Sequence, residues 1–202
     1  MKIKTLCVGP IGTNCYILED DKTNKAAVID PGDEADKIAQ VLQKDGAEVE
    51  FLLTHGHYDH TGAVAELRQL WPEVPVYLNR RDRYDGDPYM AQLFPPVPEA
   101  ADYDEGVTLS VGGLTVEVLA TPGHSEGSVT LRCGEVLFCG DTLFAGSCGR
   151  TDFAGGDWRE MLRSLGRLGN LPGSYQVYPG HDQPTTLDYE RRANPYVRQG
   201  MK

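Results

Sequence analysis

No run of this 202-residue chain is apolar for long enough to span a bilayer, so a membrane partner is not expected. The opening segment, residues 1–18, lacks the long apolar core of a secretion signal and soon turns polar. It reads as strands of the fold, and the cytoplasm is the expected compartment. Basic residues are scarce: 19 Lys and Arg stand against 30 Asp and Glu, a formal net charge of -11. That balance argues against a nucleic-acid partner, because phosphate binding calls for a basic face. Cysteine occurs at Cys7, Cys15, Cys133, Cys139 and Cys148, an odd number with no C-x-x-C pair. Several of these lie in apolar strands, where a free thiol packs as a small hydrophobe, and structural disulfides are not expected. No repeat and no linker of shifted composition divides the chain, so residues 1–202 are expected to form one domain. A hydrophobic content of 40% excludes disorder, and the length suffices for a substantial core.

The remaining pattern alternates strands and helices. Residues 2–8, 14–18 and 25–29 read as strands, with turns at Gly9-Pro10-Ile11-Gly12 and Asp30-Pro31-Gly32. Ile38, Val41 and Leu42 share one face of a helix expected over residues 34–44, with Gly46 just beyond it. Residues 49–53, apolar apart from Glu50, read as a strand covered on both faces. A helix over 62–70 and a strand over 76–78 follow. Residues 80–104 are polar and proline-rich, and read as a long connection or a pair of short helical turns. Strands are then expected at 107–110, 114–119, 128–132 and 135–139, a helix at 158–168, a last strand at 175–178 and a last helix at 185–193. Two layers of sheet with helices on both outer faces accommodate this order.

Histidine is also rare, yet three of the five histidines fall in Leu53-Thr54-His55-Gly56-His57-Tyr58-Asp59-His60-Thr61-Gly62. This segment follows the buried strand and precedes a helix. Imidazole nitrogen and aspartate oxygen together suit zinc, iron and manganese. His55 and His57 can converge if the segment stays extended, while Asp59 and His60 begin the turn into the helix, so the loop can serve two neighbouring metals. The other two histidines repeat one arrangement: an apolar strand ends, Pro-Gly turns the chain, and an imidazole appears. They are His124 after Pro122-Gly123 and His181 after Pro179-Gly180. Asp141 follows the strand ending in Gly140, and its two carboxylate oxygens could bridge two metals held by six other ligands.

These residues resemble the metallo-beta-lactamase fold superfamily. The His55 to His60 segment, His124, Asp141 and His181 match its pattern in order and spacing across nearly the whole chain. The resemblance implies an α/β chain folded as an αββα sandwich of two mixed sheets covered by helices, with the metal site at one edge between them. It implies that His55, His57 and His124 bind one metal, that Asp59, His60 and His181 bind a second, and that Asp141 bridges both. Two divalent ions are expected, zinc first, with iron or manganese also compatible. Lactamases of the family usually carry cysteine where Asp141 stands. Its flavodiiron oxidoreductases carry glutamate at the place of His57 together with a flavin domain, and its transfer-RNA nucleases carry RNA-binding parts. This chain shows none of these. Residues 141–153, Asp-Thr-Leu-Phe-Ala-Gly-Ser-Cys-Gly-Arg-Thr-Asp-Phe, are similar to the glyoxalase II group, above all to its short single-domain relatives.

The chemistry so implied is hydrolysis of a small thioester such as lactoylglutathione, by a hydroxide activated between the metals. One metal would carry the oxyanion, and Asp59, the catalytic residue, would hold the nucleophile and take its proton. In the glyoxalase II group a basic residue at the place of Arg150 contacts glutathione, making Arg150 the candidate substrate-binding residue. Two positions on, the larger enzymes have an aromatic residue and this chain has Asp152. Their helical extension after the last histidine has no counterpart before Lys202, and Arg191, Arg192 and Arg198 do not match its spacing, so weak selection for glutathione is expected. Two other functions are carried forward. Iron-dependent persulfide dioxygenases share the His-x-His-x-Asp-His and Gly-Arg-Thr-Asp-Phe segments, and a non-enzymatic metal-binding interaction module is the third reading. Ser125 and Ser128 show no triad spacing, Cys148 reads as structural, and Arg80, Arg81, Arg83 and Tyr84 read as a solvated patch. Thr54, Thr121 and Asp182 are candidate acceptors for the second nitrogens of ligating imidazoles. Monomer and homodimer both remain open.

Overall fold

Side chains on a strand point alternately to opposite faces, so a strand apolar throughout must be covered twice. The computed structural model, which describes residues 1–46, 48–84 and 88–202, shows how this is met. Strands β1 (Lys2–Val8), β2 (Thr13–Asp20), β3 (Lys25–Ile29), β4 (Glu48–Leu52) and β5 (Val76–Tyr77) form one sheet in that order. From β2 and β3, Cys15, Ile17, Ala26 and Val28 pack outward with Ile38 and Leu42 of α1 (Ala35–Asp45) and Leu67 of α3 (Val64–Leu70). The alternate residues Tyr16, Leu18, Ala27 and Ile29 pack inward against the second sheet.

That second sheet runs β13 (Thr185–Thr186), β12 (Gln176–Pro179), β9 (Val136–Gly140), β8 (Val129–Cys133), β7 (Leu114–Ala120), β6 (Thr108–Val111). Val136 and Phe138 of β9 face inward, and the Phe138 ring meets Tyr16 across the layers at 5.3 Å. Leu137 and Cys139 face outward onto Leu165 of α4 (Trp158–Gly169), Leu187 of α5 (Leu187–Ala193) and Val197 of α6 (Pro195–Gly200). Burying each large apolar side chain stabilises the fold by about 1.5–3 kcal/mol. The result is the expected αββα sandwich. All five cysteines are free. No helix among the described residues is long and apolar enough to cross a membrane.

Three differences from the expected elements bear on the site. The histidine-rich segment winds into its own helical turn, α2 (Tyr58–Thr61), before α3 begins. A short hairpin, β10 (Leu143–Phe144) with β11 (Ser147–Cys148), follows Asp141. The chain also continues past residue 193 into α6, because Asn194 accepts from the N–H groups of Tyr196 and Val197 and Pro195 starts the helix. In the 80–104 connection there are two 3₁₀ turns, Arg80–Asp82 and Met90–Gln92; residues 85–87 lie outside the described part.

Candidate metal centre

Strand direction gathers the chemistry at one end. β3 runs parallel to β4, and β12 runs parallel to β9. β7 and β9 both run antiparallel to β8, so they point the same way. Asp30 follows β3, the His55 to His60 segment follows β4, His124 follows β7, Asp141 follows β9 and His181 follows β12. Ligand sites in α/β sheets favour this carboxyl-terminal rim.

The seven residues singled out from the sequence converge there. Ligand atoms of His55, His57 and His124 lie within 4.8 Å of one another, and so do those of Asp59, His60 and His181. Asp141 sits between the two groups. Its Oδ2 is 3.4 Å from His124 Nε2 and 3.5 Å from His181 Nε2, while its Oδ1 is 3.4 Å from His60 Nε2. His57 Nδ1 and His124 Nε2 approach to 2.8 Å. Gly180 lets the last loop close on the cluster, since a Cβ there would lie 2.2 Å from Asp141 Oδ1.

The donor set fits bound cations. His55 Nε2, His60 Nε2 and Asp141 Oδ1 are buried without a hydrogen-bond partner among the described residues, an arrangement that costs free energy unless something else satisfies them. Burial, then the neighbouring imidazoles, hold His55 well below the usual histidine range. Burial and the adjacent His124 bring His57 down to about 3. Both rings are therefore neutral, with a lone pair free for a metal. In the other group burial opposes charge, but the carboxylates of Asp141 and Asp30 outweigh it and raise His60 well above its ordinary value. For Asp59 burial is again outweighed, here by the facing imidazoles of His181 and His60, which hold it well below the carboxylate range. The two ligand groups form a candidate binuclear centre.

The second nitrogens are fixed by partners only partly visible in the sequence. Thr54 Oγ1 lies 3.1 Å from His55 Nδ1, as expected. Asp30, unforeseen, accepts from the Thr54 N–H and hydroxyl at 2.7 and 2.6 Å and faces His60 Nδ1 at 2.9 Å. Asp30 also lies within reach of His55 and His60 as a possible ligand. Its two oxygens are already engaged by Thr54 and His60, so we read it as their support. His124 Nδ1 donates to the Arg150 carbonyl at 2.8 Å. Thr121 and Asp182 do not serve the imidazoles: Thr121 pairs with Thr130 and Thr142, and Asp182 accepts from Asn14 through its backbone carbonyl. Asp82 is a second unforeseen residue. Its carboxylate accepts from the N–H groups of Gly56 and Gly127 at 2.9 and 2.7 Å and from the Ser125 hydroxyl at 2.6 Å, tying the two histidine loops together.

A cleft of about 470 Å³ opens over the ligands. Ile11, Tyr58, Leu93, Phe144 and Phe153 give it an apolar rim, and Arg150 also lines it. The Arg150 guanidinium is already engaged, by Asp152 and by the Phe153 ring. Arg80 and Arg81 face Asp102 and Asp104 away from the cleft lining, in keeping with a solvated patch.

Residues 8–181 match the family described as the Metallo-beta-lactamase superfamily. The chain belongs to the metallo-beta-lactamase superfamily. Within it, Hydroxyacylglutathione hydrolase GloC of Haemophilus influenzae is 35% identical over 209 residues, spanning 98% of each chain. The crystal structure of BLEG-1 B3 metallo-beta-lactamase superposes with a TM-score of 0.87 at 35% identity, covering 97% of this chain and 99% of that one. TTHA1623 in a di-iron-bound form gives 0.84 at 38% identity, covering 96% and 99%. The relatives thus include a B3 metallo-beta-lactamase and a hydroxyacylglutathione hydrolase by name, and the resemblance to the glyoxalase II group covers one part of a broader set.

Proposed function

We propose that this chain, folded as one domain, is a metal-dependent hydrolase that cleaves small thioesters, with lactoylglutathione as the representative substrate. Asp141 carries the reading: it stands between two ligand triads, with unpartnered buried atoms aimed into the same space. His55, His57 and His124 would hold one divalent ion and Asp59, His60 and His181 the other, with Asp141 shared. Zinc suits this nitrogen and oxygen set, as do iron and manganese. Bound there, the ions would lower the pKa of a water and polarise the substrate carbonyl. Asp59 would take the proton of that water; its Oδ2 accepts from the Thr13 hydroxyl at 3.2 Å and lies 3.2 Å from His181 Nε2, which supports that role. The apolar rim would receive the acyl chain and the thiol. The name of the Haemophilus relative supports the thioester; that of BLEG-1 makes a β-lactam the first competitor.

The test is a panel of thioesters, esters, lactones, β-lactams and phosphodiesters, run on protein loaded with zinc or with iron. Oxygen uptake with glutathione persulfide is measured alongside. Thioester cleavage that exceeds the other classes supports the proposal. Preferred β-lactam turnover, or oxygen uptake on iron-loaded protein without thioester cleavage, overturns it.

A further inference from the structure

The substrate class can be narrowed from one ion pair in the cleft wall, an inference that rests on the thioester reading. Among the described residues lining the cleft, Arg150 is the one that carries a fixed positive charge. A guanidinium there could grip a carboxylate on the substrate with two parallel hydrogen bonds. The fork is taken. Arg150 Nε donates to Asp152 Oδ1 at 2.6 Å and Nη2 donates to Oδ2 at 2.7 Å. The guanidinium carbon lies 3.8 Å from the centroid of the Phe153 ring, which fixes the plane of the fork. A substrate carboxylate would therefore have to displace Asp152 and approach its negative charge. Beyond the ligands and Arg150, the lining is Ile11, Tyr58, Leu93, Phe144 and Phe153, and Asp152 stands just outside it, held by Arg150. Ile11 is 53% exposed and Tyr58 47%, so the mouth of the cleft offers apolar contact surface.

We propose that Asp152 is a specificity-determining residue that occupies the Arg150 fork, so that the cleft selects thioesters of uncharged thiols over those of thiols bearing carboxylates. An exposed pair of this kind is worth little, so the discrimination is modest, about twofold to fivefold.

The experiment is calorimetric titration of the metal-loaded protein with S-methylglutathione, a carboxylate-bearing probe with no free thiol to bind metal. Wild type, Asp152→Asn, Asp152→Ala and Arg150→Ala/Asp152→Ala are compared. The expected result is binding about twofold to fivefold tighter in Asp152→Ala, a smaller gain in Asp152→Asn, and no gain in the double variant. Unchanged or weaker binding in Asp152→Ala, or a gain that persists without Arg150, overturns the proposal. Kinetics then compare KM for lactoylglutathione with KM for a lactoyl thioester of a small uncharged thiol, and Asp152→Ala should shift the ratio toward lactoylglutathione. If wild type cleaves neither thioester, the proposed function fails, while the titration still decides the role of Asp152.

Discussion

Nδ1 of His60 lies 2.9 Å from Asp30 Oδ2, and this contact leaves Nε2 of His60 facing the other ligands. The same carboxylate accepts from Thr54 Oγ1, whose oxygen lies 3.1 Å from His55 Nδ1, so Asp30 orients one histidine in each ligand group. Supporting contacts of this kind are worth roughly 10–100-fold in metal affinity. Asp30→Ala is therefore expected to weaken the second equivalent of metal by about that factor. Titration with a metal indicator reads it directly. Two equivalents held as tightly as in wild type would show that His60 needs no support from Asp30.

Asp59 and His124 should separate chemistry from assembly. Asp59→Asn keeps the side-chain shape and an oxygen toward the second ligand group but removes the carboxylate charge and proton acceptor, and turnover should fall by about 10²–10⁴-fold. His124→Ala should abolish activity through loss of metal from the group formed with His55 and His57. Both variants should keep the far-ultraviolet circular dichroism of wild type, because the sandwich core lies behind the loops. Normal turnover with normal metal content in either variant would contradict its assigned role.

Asp82 tests whether the two histidine loops are held to each other. Asp82→Ala leaves the N–H groups of Gly56 and Gly127 without their acceptor, while the Ser125 hydroxyl keeps Ser128 Oγ at 2.6 Å. Each buried group left unpaired costs about 1–3 kcal/mol. At about 2–4 °C per kcal/mol for a chain of this size, the melting temperature of the metal-free protein should fall by roughly 4 °C or more. First-site metal affinity should fall with it, since Gly56 adjoins His55 and Ser125 adjoins His124. A melting point within a degree of wild type would show that the loops close without the clamp.

The layers were legible in the sequence because strands buried on both faces leave continuous apolar runs, such as residues 51–53 and 136–139. The ligands were legible because scarce histidines each follow a strand end. Asp30 carried the same signal, an aspartate before Pro31-Gly32 at the end of an apolar strand, but a turn aspartate looks identical until the fold brings it to His60. Asp82 carried no signal, since it lies among arginines and acts only through atoms distant in sequence. The hairpin of β10 and β11 was missed because a two-residue strand has no periodicity to read. The helix past residue 193 was missed although Asn194-Pro195 is a helix start, because the preceding helix already accounted for the segment.

The last residues of the chain bear on substrate binding through that hairpin. Glu190 is fully buried, and its carboxylate accepts from the Gly146 N–H at 2.9 Å, the Thr185 hydroxyl at 2.7 Å and the Asn194 side-chain amide at 2.8 Å. Asn194 Nδ2 also donates to the Ser147 carbonyl at 2.8 Å. Together they pin α5 and α6 to both sides of the turn between β10 and β11. Phe144, on β10, lines the cleft with its ring centroid 6.2 Å from that of His181. Loosening the turn should therefore disturb the wall that receives substrate more than the ligands themselves, since Asp141 is held separately at the end of β9. Glu190→Ala is expected to raise KM by about threefold to tenfold while kcat and metal content change less, the signature of binding lost equally from ground and transition states. Glu190→Gln, which keeps one acceptor oxygen, should fall between. Steady-state kinetics with metal analysis on the same preparations check this. A lower melting temperature with KM unchanged would mean that the tail supports the fold alone, and loss of metal would mean that the hairpin also holds Asp141 in place.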